Sequence, residues 1–551
     1  MDGAELRIPP IDLAIILAYL AGIVFVGLWV TRRTTMTGEA YFLGGRTLRW
    51  PVIGAALFAS NISTIHLVGL AGSGYKSGLL QGNYEWIAPF TLIILSLVFA
   101  PFYFRNKIQT LPEYAERRFG PSSRSFLAFM GILGALFIHI GISLYAGAKV
   151  FEQFFGIDVM TSILLISALT AIYTVVGGLK AVVVTETIQT VLLIGGSLIV
   201  TVLAVQALPG AGIHSWAELQ AAVGPEKLHV ITFDKSTDAD FVSFLLGYWV
   251  LGVWYWCTDQ TIVQRVLAAH TERDAQLGPL FAGFLKILPM FILVFPGVIA
   301  YAIFRDQIGA DADQALPFLI QELVPTGLRG LITAGLLAAL MSTIAAALNS
   351  CGTLVAVDIV ARLRPDTTDA QQVRIGRWSA LGVMILAIAW STQGDKFSSI
   401  FEAVQQIGAA LAPPITAVFV LGVFWKRGTH QAALGTLIFG LVMGITGFLI
   451  DTPLVGSGAD RHPILADTRL LTEGLGIPFL RQAFYECLIC MGVFYLISKA
   501  TPPPPKEKIE GLTWDNPLQI LTRPHTGEGI DPRIVAGCLA AVMVTLYVVF
   551  R

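Results

Sequence analysis

Fourteen stretches of about twenty apolar residues, nearly free of charge, limit what this chain can fold into. They are centred in 11–31, 50–72, 84–104, 125–148, 157–176, 181–207, 240–267, 277–304, 328–361, 376–393, 398–425, 431–451, 482–499 and 533–551. About 20 such residues carry a helix across the hydrocarbon core of a bilayer. Only 13% of the 551 residues are charged, and mean hydropathy is +0.71. A soluble domain carries about 25%, so an ordinary cytosolic enzyme and a disordered chain are both excluded. The composition specifies an all-α polytopic membrane protein.

Loop charge orients the helices. With the N-terminus outside, twenty-three of the 36 Lys and Arg residues fall in inner loops, among them Arg117, Arg118, Lys180 and Arg265. That is the positive-inside bias, and fourteen spans then place both termini outside a cell membrane. Asp2 and Glu5 stand where a cleaved signal would be basic, so 11–30 reads as a retained helix. Long outer loops are expected at 208–239 and 452–481. The polar stretch 500–532, with Pro502 to Pro505, reads as an inner linker before a last, separate helix. A net charge of −1 offers no nucleic-acid surface. Cys487 and Cys490 have CxxC spacing, but in an apolar run without a second ligand pair, which argues against a metal or redox role.

Breakers and polar groups at membrane depth point to a transporter. The second span holds Ser60, Asn61, Ser63, Thr64 and His66; the seventh holds Tyr255, Trp256, Thr258, Asp259 and Gln260. These open two groups of five spans, 2–6 and 7–11. Five is odd, so the groups have opposite orientation, the arithmetic of an inverted repeat whose interrupted opening helices form a midplane site. Charges inside spans default to functional roles. Here they are Glu85, Glu186, Asp259 and Lys286, although Asp259 could simply pair with Arg265 or cap a break.

In the ninth span Ala339, Ser342 and Thr343 share one helix face. Two hydroxyls and a loosened carbonyl make half of a hard-cation site, since such ions take oxygen ligands. Ser and Thr also join membrane helices without any ion, and spacing alone leaves both readings open. A break near Ala59–Ile62 would supply further carbonyls.

Several segments resemble the sodium/solute symporter family, in particular its sodium–glucose cotransporter branch. They are SNISTIHLVGLAGSG at 60–74, YEW at 84–86, YTVVGGLKAVVVTETIQT at 173–190, WYWCTDQTIVQR at 254–265, LKILPMF at 285–291, LNS at 348–350 and APPITAVFVLGVFWKR at 412–427. The resemblance runs from about 12 to 450. It implies a five-plus-five inverted-repeat core with broken first and sixth core helices, one extra helix before it and three after it. The boundaries would be 1–48 for the N-terminal extra helix and inner loop, 49–430 for the core (repeats 49–207 and 240–430), and 431–551 for the C-terminal helices. Implied sodium ligands are the carbonyls of Ala59, Ile62 and Ala339 and the hydroxyls of Ser342 and Thr343. Implied sugar-site positions are Asn61, His66, Glu85, Tyr255, Trp256, Lys286 and Gln405, with Tyr255 as inner gate.

One departure concerns stoichiometry. Family members that bind a second sodium use an Asp after GGLxAV and hydroxyls beyond the first site. Here Glu186 replaces that Asp, and Ile344, Ala345 and Ala346 follow Thr343. The expectation is one transported sodium per sugar, with Glu186 a coupling candidate in a salt bridge or proton path. The resemblance implies no organic cofactor and makes a monomer plausible. Glu85 would repel an anion, favouring a neutral hexose, with myo-inositol or another polyol or organic solute as the alternative on the same fold. A non-transporting sugar sensor is the alternative of another class. An enzyme is disfavoured, because no nucleophile–base–acid set is visible.

Overall fold

Each apolar run becomes a helix because within lipid a helix answers its own backbone groups. The computed structural model describes residues 9–32, 37–233, 240–394, 400–456, 461–516, 519–522 and 529–551. Among them, twelve helical stretches are long and apolar enough to cross a membrane. Two of these, Thr64–Arg105 and Val159–Ala211, run 42 and 53 residues, about twice what one crossing takes.

The helices used below are α1 (Pro10–Arg32), α2 (Trp50–Asn61), α3 (Thr64–Ser77), α4 (Val159–Ala207), α5 (Phe241–Val253), α6 (Gln260–Leu267) and α7 (Glu272–Leu285). They continue with α8 (Phe295–Ile308), α9 (Leu328–Thr353), α10 (Ile400–Phe424), α11 (His430–Asp451), α12 (Phe479–Ala500) and α13 (Pro532–Val549). A short antiparallel pairing of Pro453–Val455 with His462–Pro463 follows α11.

Burial sorts these helices. α9 is almost wholly enclosed and packs against α1, α2 and α4. α1 and α4 turn Leu17, Phe25, Trp29, Leu164, Ile172 and Val191 outward, the apolar surface lipid would cover. α4 bends at Gly178 (φ 63°, ψ −165°), where a Cβ would also lie 2.6 Å from the Tyr41 carbonyl oxygen. Only glycine meets both demands.

α3 and α8 touch backbone to backbone. A Cβ on Gly297 would fall 1.8 Å from the Ala71 carbonyl oxygen, and one on Gly74 would fall 2.1 Å from that of Val294. Small residues at such crossings are how membrane helices approach closely. Gly297→Val should therefore cost about 3 kcal/mol or more. Loss of the monodisperse species on size exclusion in detergent would report it, and a wild-type melting profile would refute the contact.

Three expectations need correction. Arg118 and Arg265 are buried rather than loop charges. Arg118 donates to the carbonyls of Gly422 (3.0 Å), Trp425 (2.9 Å) and Gly428 (3.1 Å), which the end of α10 leaves without helical partners. The last helix is not separate. α13 packs on α7, the Phe550 carbonyl accepts from Val230 N–H at 2.9 Å, and the Tyr547 hydroxyl donates to Asn83 Oδ1 at 2.8 Å. Trp514 in the linker before it also docks. It is buried, meets the Phe102 ring at 4.7 Å between centroids and donates its backbone N–H to the Val423 carbonyl.

Candidate functional site

α2 stops where the sequence turns from small apolar residues to Asn-Ile-Ser-Thr. Ile62 and Ser63 are extended (φ −79°, ψ 100° and φ −99°, ψ 177°), and α3 restarts with Ser63 as N-cap in a capping box with His66. Ser and Thr suit that position because a side-chain oxygen answers the first orphan N–H groups. The break leaves the last carbonyls of α2 without their helical donors. Hydroxyls from α9 fill the place. Ser342 Oγ lies 2.8 Å from the Ala59 carbonyl oxygen and 2.8 Å from that of Ala339. Thr343 Oγ1 lies 3.1 Å from the Ser60 carbonyl oxygen and 3.3 Å from that of Ala339.

Five oxygens thus cluster around two hydroxyl protons, a set that can both cross-link the helices and ligate a hard cation. Four of the five expected sodium positions, Ala59, Ala339, Ser342 and Thr343, meet here. Ile62 is buried at the break, but Ser60 supplies the carbonyl that Thr343 meets.

The seventh span breaks in the matching way. Trp254–Thr258 forms a wide π-turn, and Asp259 (φ −78°, ψ 124°) caps α6 by accepting from Thr261 N–H at 2.6 Å. Between the two breaks lies a cavity lined by Asn61, His66, Glu85, Tyr255, Trp256 and Gln405, six of the seven expected sugar-site residues. Lys286, the seventh, stands behind the wall at the end of α7. Its ammonium donates to both the Glu85 carboxylate and the Asn61 amide oxygen. Asn61 Nδ2 in turn donates to the Tyr255 hydroxyl at 3.0 Å. His66 Nδ1 lies 3.2 Å from Ser63 Oγ at the helix start, leaving Nε2 as its other polar ring atom.

The lining is therefore mixed: amide, carboxylate and imidazole groups beside the aromatic residues Tyr255, Trp256 and Tyr248. Such a wall can exchange hydrogen bonds with several hydroxyls and cover an apolar ring face. The ion pair leaves it without net charge.

Asp259 does not pair with Arg265. Its second oxygen faces His139 Nε2 at 3.1 Å, and the His139 ring lies 5.7 Å from that of Tyr255. Arg265 belongs to Glu186, with contacts of 2.6 and 3.3 Å, both residues being fully buried. Ser60 Oγ also donates to Glu186 at 2.8 Å. Sequence reasoning passed over His139, Ser143, Tyr84 and Tyr248, all of which line the cavity. A histidine in an otherwise apolar span was the available signal for the first. Cys487 and Cys490 are buried thiols, and no group of three metal-ligating side chains occurs among the described residues.

The sodium:solute symporter family matches residues 41–440. This chain belongs to that family. Its relatives include the sodium/myo-inositol cotransporter 2 of Mus musculus, 34% identical over 540 residues, covering 92% of this chain and 79% of that protein. The sodium/mannose cotransporter of Bos taurus is 36% identical over 562 residues, covering 94% and 92%. The sodium/glucose cotransporter 4 of Homo sapiens is 32% identical over 541 residues, covering 91% and 78%. Among solved structures, a Na+-coupled sialic acid symporter in a substrate-bound outward-open state superposes with a TM-score of 0.73. It is 23% identical and covers 90% of this chain and 99% of that one. A nucleobase-cation-symport-1 family transporter gives 0.51 at 14% identity, covering 84% and 97%.

These two likenesses concern fold alone. The symporter is an all-α multi-pass membrane protein with an inverted-repeat core whose two opening helices are broken. Its family and relatives are transporters rather than enzymes, and sodium is the ion that the family couples.

Proposed function

We propose that this symporter imports a neutral hexose, such as glucose or galactose, with one sodium ion per sugar by alternating access. The carrying observation is the shared helix break. One interruption, 59–64, contributes carbonyls to the oxygen cluster and Asn61 and His66 to the adjacent cavity. Sodium binding would thus shape the sugar site directly. Lys286 is committed to Glu85, so the cavity offers no free charge to an acidic solute. On this reading the core spans 49–430, with repeats 49–207 and 240–430, and both termini face outward from the cell membrane. Tyr255, held by Asn61, is the inner gate. On this reading the symporter works as a monomer.

A single sodium is supported by what surrounds Thr343. Glu186 spends its carboxylate on Arg265 and Ser60, and the next residues, Ile344, Ala345 and Ala346, are buried without side-chain oxygens. One charge crossing 100 mV releases about 2.3 kcal/mol, and a tenfold sodium gradient adds about 1.4 kcal/mol. Together these support roughly 500-fold accumulation at full coupling.

The names of the relatives keep a second reading open, myo-inositol on the same site. Sodium-driven uptake in proteoliposomes, across labelled glucose, galactose, mannose and myo-inositol, separates the two. Uptake of myo-inositol alone would replace the hexose reading. A sodium-to-solute flux ratio near two would overturn the single-ion reading.

Ser342→Ala tests the ion site. Losing one hydroxyl costs folding only about 1 kcal/mol, whereas the apparent sodium affinity should fall about tenfold or more. Sodium titration of uptake, beside a thermal melt, reads both. Unchanged sodium dependence would remove Ser342 from the site.

A further inference from the structure

A second cavity, of about 390 Å³, lies between α10, α11 and α12 and the connection after α11. That size falls within the range of small-molecule sites. Its walls are apolar: Ala409, Met443, Phe448, Leu471, Ile477 and Phe479. The polar groups at one end answer one another. Asp451 accepts from the N–H groups of Leu471 and Thr472 (both 2.8 Å), the Thr472 hydroxyl (2.6 Å) and Gln482 Nε2 (2.8 Å). Arg469 donates to the Asp451 carbonyl at 3.2 Å.

One turn further along α12, Glu486 is different. It lines the cavity, is only 7% exposed, and its Oε1 has no hydrogen-bond partner among the described residues. A carboxyl with no partner in apolar surroundings is costly, and at membrane depth such a group marks function by default.

We propose that this cavity binds amphiphilic amines, with a primary or secondary ammonium on Glu486 and an apolar body along the walls. Anions are excluded by the carboxylate. A wholly apolar ligand would bury it unanswered, and a bare inorganic cation would leave the walls uncovered. The ammonium answers the carboxylate with a charge-assisted hydrogen bond. Thr446 and Tyr485 line the cavity and are exposed, which gives a lateral route for either a free amine or an aminolipid of the bilayer.

The site also has a route to transport. On α10, Gln405 and Gly408 line the central cavity while Gln406, Ala409 and Ala410 line this one. An amine seated here would act on uptake through α10 without competing for the sugar.

The test is equilibrium binding of tritiated 4-phenylbutylamine to the full chain in phosphatidylcholine nanodiscs. Saturable binding is expected, with 4-phenylbutanol at least tenfold weaker and no displacement by saturating glucose. Glu486→Gln should weaken amine binding at least tenfold. Gly447→Leu should do the same with the carboxylate intact, because a Cβ at that position meets only the Leu471 side chain, at 3.9 Å. Adding phosphatidylethanolamine distinguishes the sources: weaker probe binding identifies an aminolipid occupant, and unchanged binding identifies free amines. No saturable binding, equal affinity for amine and alcohol, or displacement by glucose would overturn the proposal. So would a Kd within twofold of wild type in either variant that melts as the wild type does.

Discussion

Arg265→Met should lower the stability of the symporter by about 3–5 kcal/mol, and adding Glu186→Gln should restore most of it. The two residues are fully buried, linked at 2.6 and 3.3 Å, and come from α6 and α4. Removing the guanidinium leaves the Glu186 carboxylate at membrane depth with only the Ser60 hydroxyl to answer it. Breaking one side of a buried pair costs far more than replacing both sides by neutral groups. The Arg265 guanidinium also donates to the Thr261 carbonyl within α6, so it stiffens the helix that follows the second break.

Thermal melting of the two single variants and the double variant, in detergent, forms the cycle. A single Arg265→Met variant within 1 kcal/mol of wild type would show that the pair is already neutral. A double variant no better than the single would show that packing, and not charge, is the loss. Transport adds a separate reading. Ser60 joins the pair through its hydroxyl and the oxygen cluster through its carbonyl. If the pair tunes coupling, a refolded double variant will bind sodium yet show a changed sodium-to-sugar ratio.

How far the sequence carried these assignments depends on the range of the interaction. Local signals were legible. Asn-Ile-Ser-Thr ended α2, and Asp259 capped α6, because N-cap chemistry lies within three residues of the break it serves. The face of Ala339, Ser342 and Thr343 was also legible, since it follows from helix geometry alone. Pairings between distant helices were not. Arg265 sits six residues after Asp259 and was offered to it, whereas the fold delivers it to Glu186, 79 positions away. His139 reaches Asp259 across 120 positions, and no periodicity announces that meeting. Likewise the meeting of the Thr343 hydroxyl with the Ser60 carbonyl, 283 positions away, follows from where the extended turn at Ile62 and Ser63 sets the end of α2, which residue type does not encode. The docking of α13 depends on Gly283, where a Cβ would lie 2.5 Å from Leu539 Cδ2. Such a fit is visible only when both helices are in place.

On the proposed hexose reading, Lys286→Met should lower sugar uptake by 100-fold or more, and here stability and transport can be pulled apart. Lys286 is 1% exposed, donates to Glu85 and Asn61, and lies 5.5 Å from the centroid of the Trp256 ring. Methionine keeps an unbranched apolar stem and removes the ammonium. Glu85 is then an unpaired buried carboxylate, with a penalty of about 3–5 kcal/mol. Asn61 loses the donor that fixes its amide, and with it the orientation of the Nδ2 group that meets Tyr255. The paired variant Lys286→Met with Glu85→Gln removes the unpaired charge and should melt within about 1.5 kcal/mol of wild type.

If the ammonium and carboxylate also hold the sugar hydroxyls, this neutral pair stays silent in uptake, because each lost charge-assisted hydrogen bond is worth about 1.5–3 kcal/mol. A loss of 100-fold corresponds to about 2.7 kcal/mol, within reach of one or two such bonds. Uptake by the neutral pair at the wild-type rate would show that Lys286 serves only to neutralise Glu85, and the sugar-binding role would pass to Asn61, His66 and Gln405. Sodium binding, measured separately, should survive in the neutral pair, since the oxygens of Ala59, Ala339, Ser342 and Thr343 make no contact with Lys286.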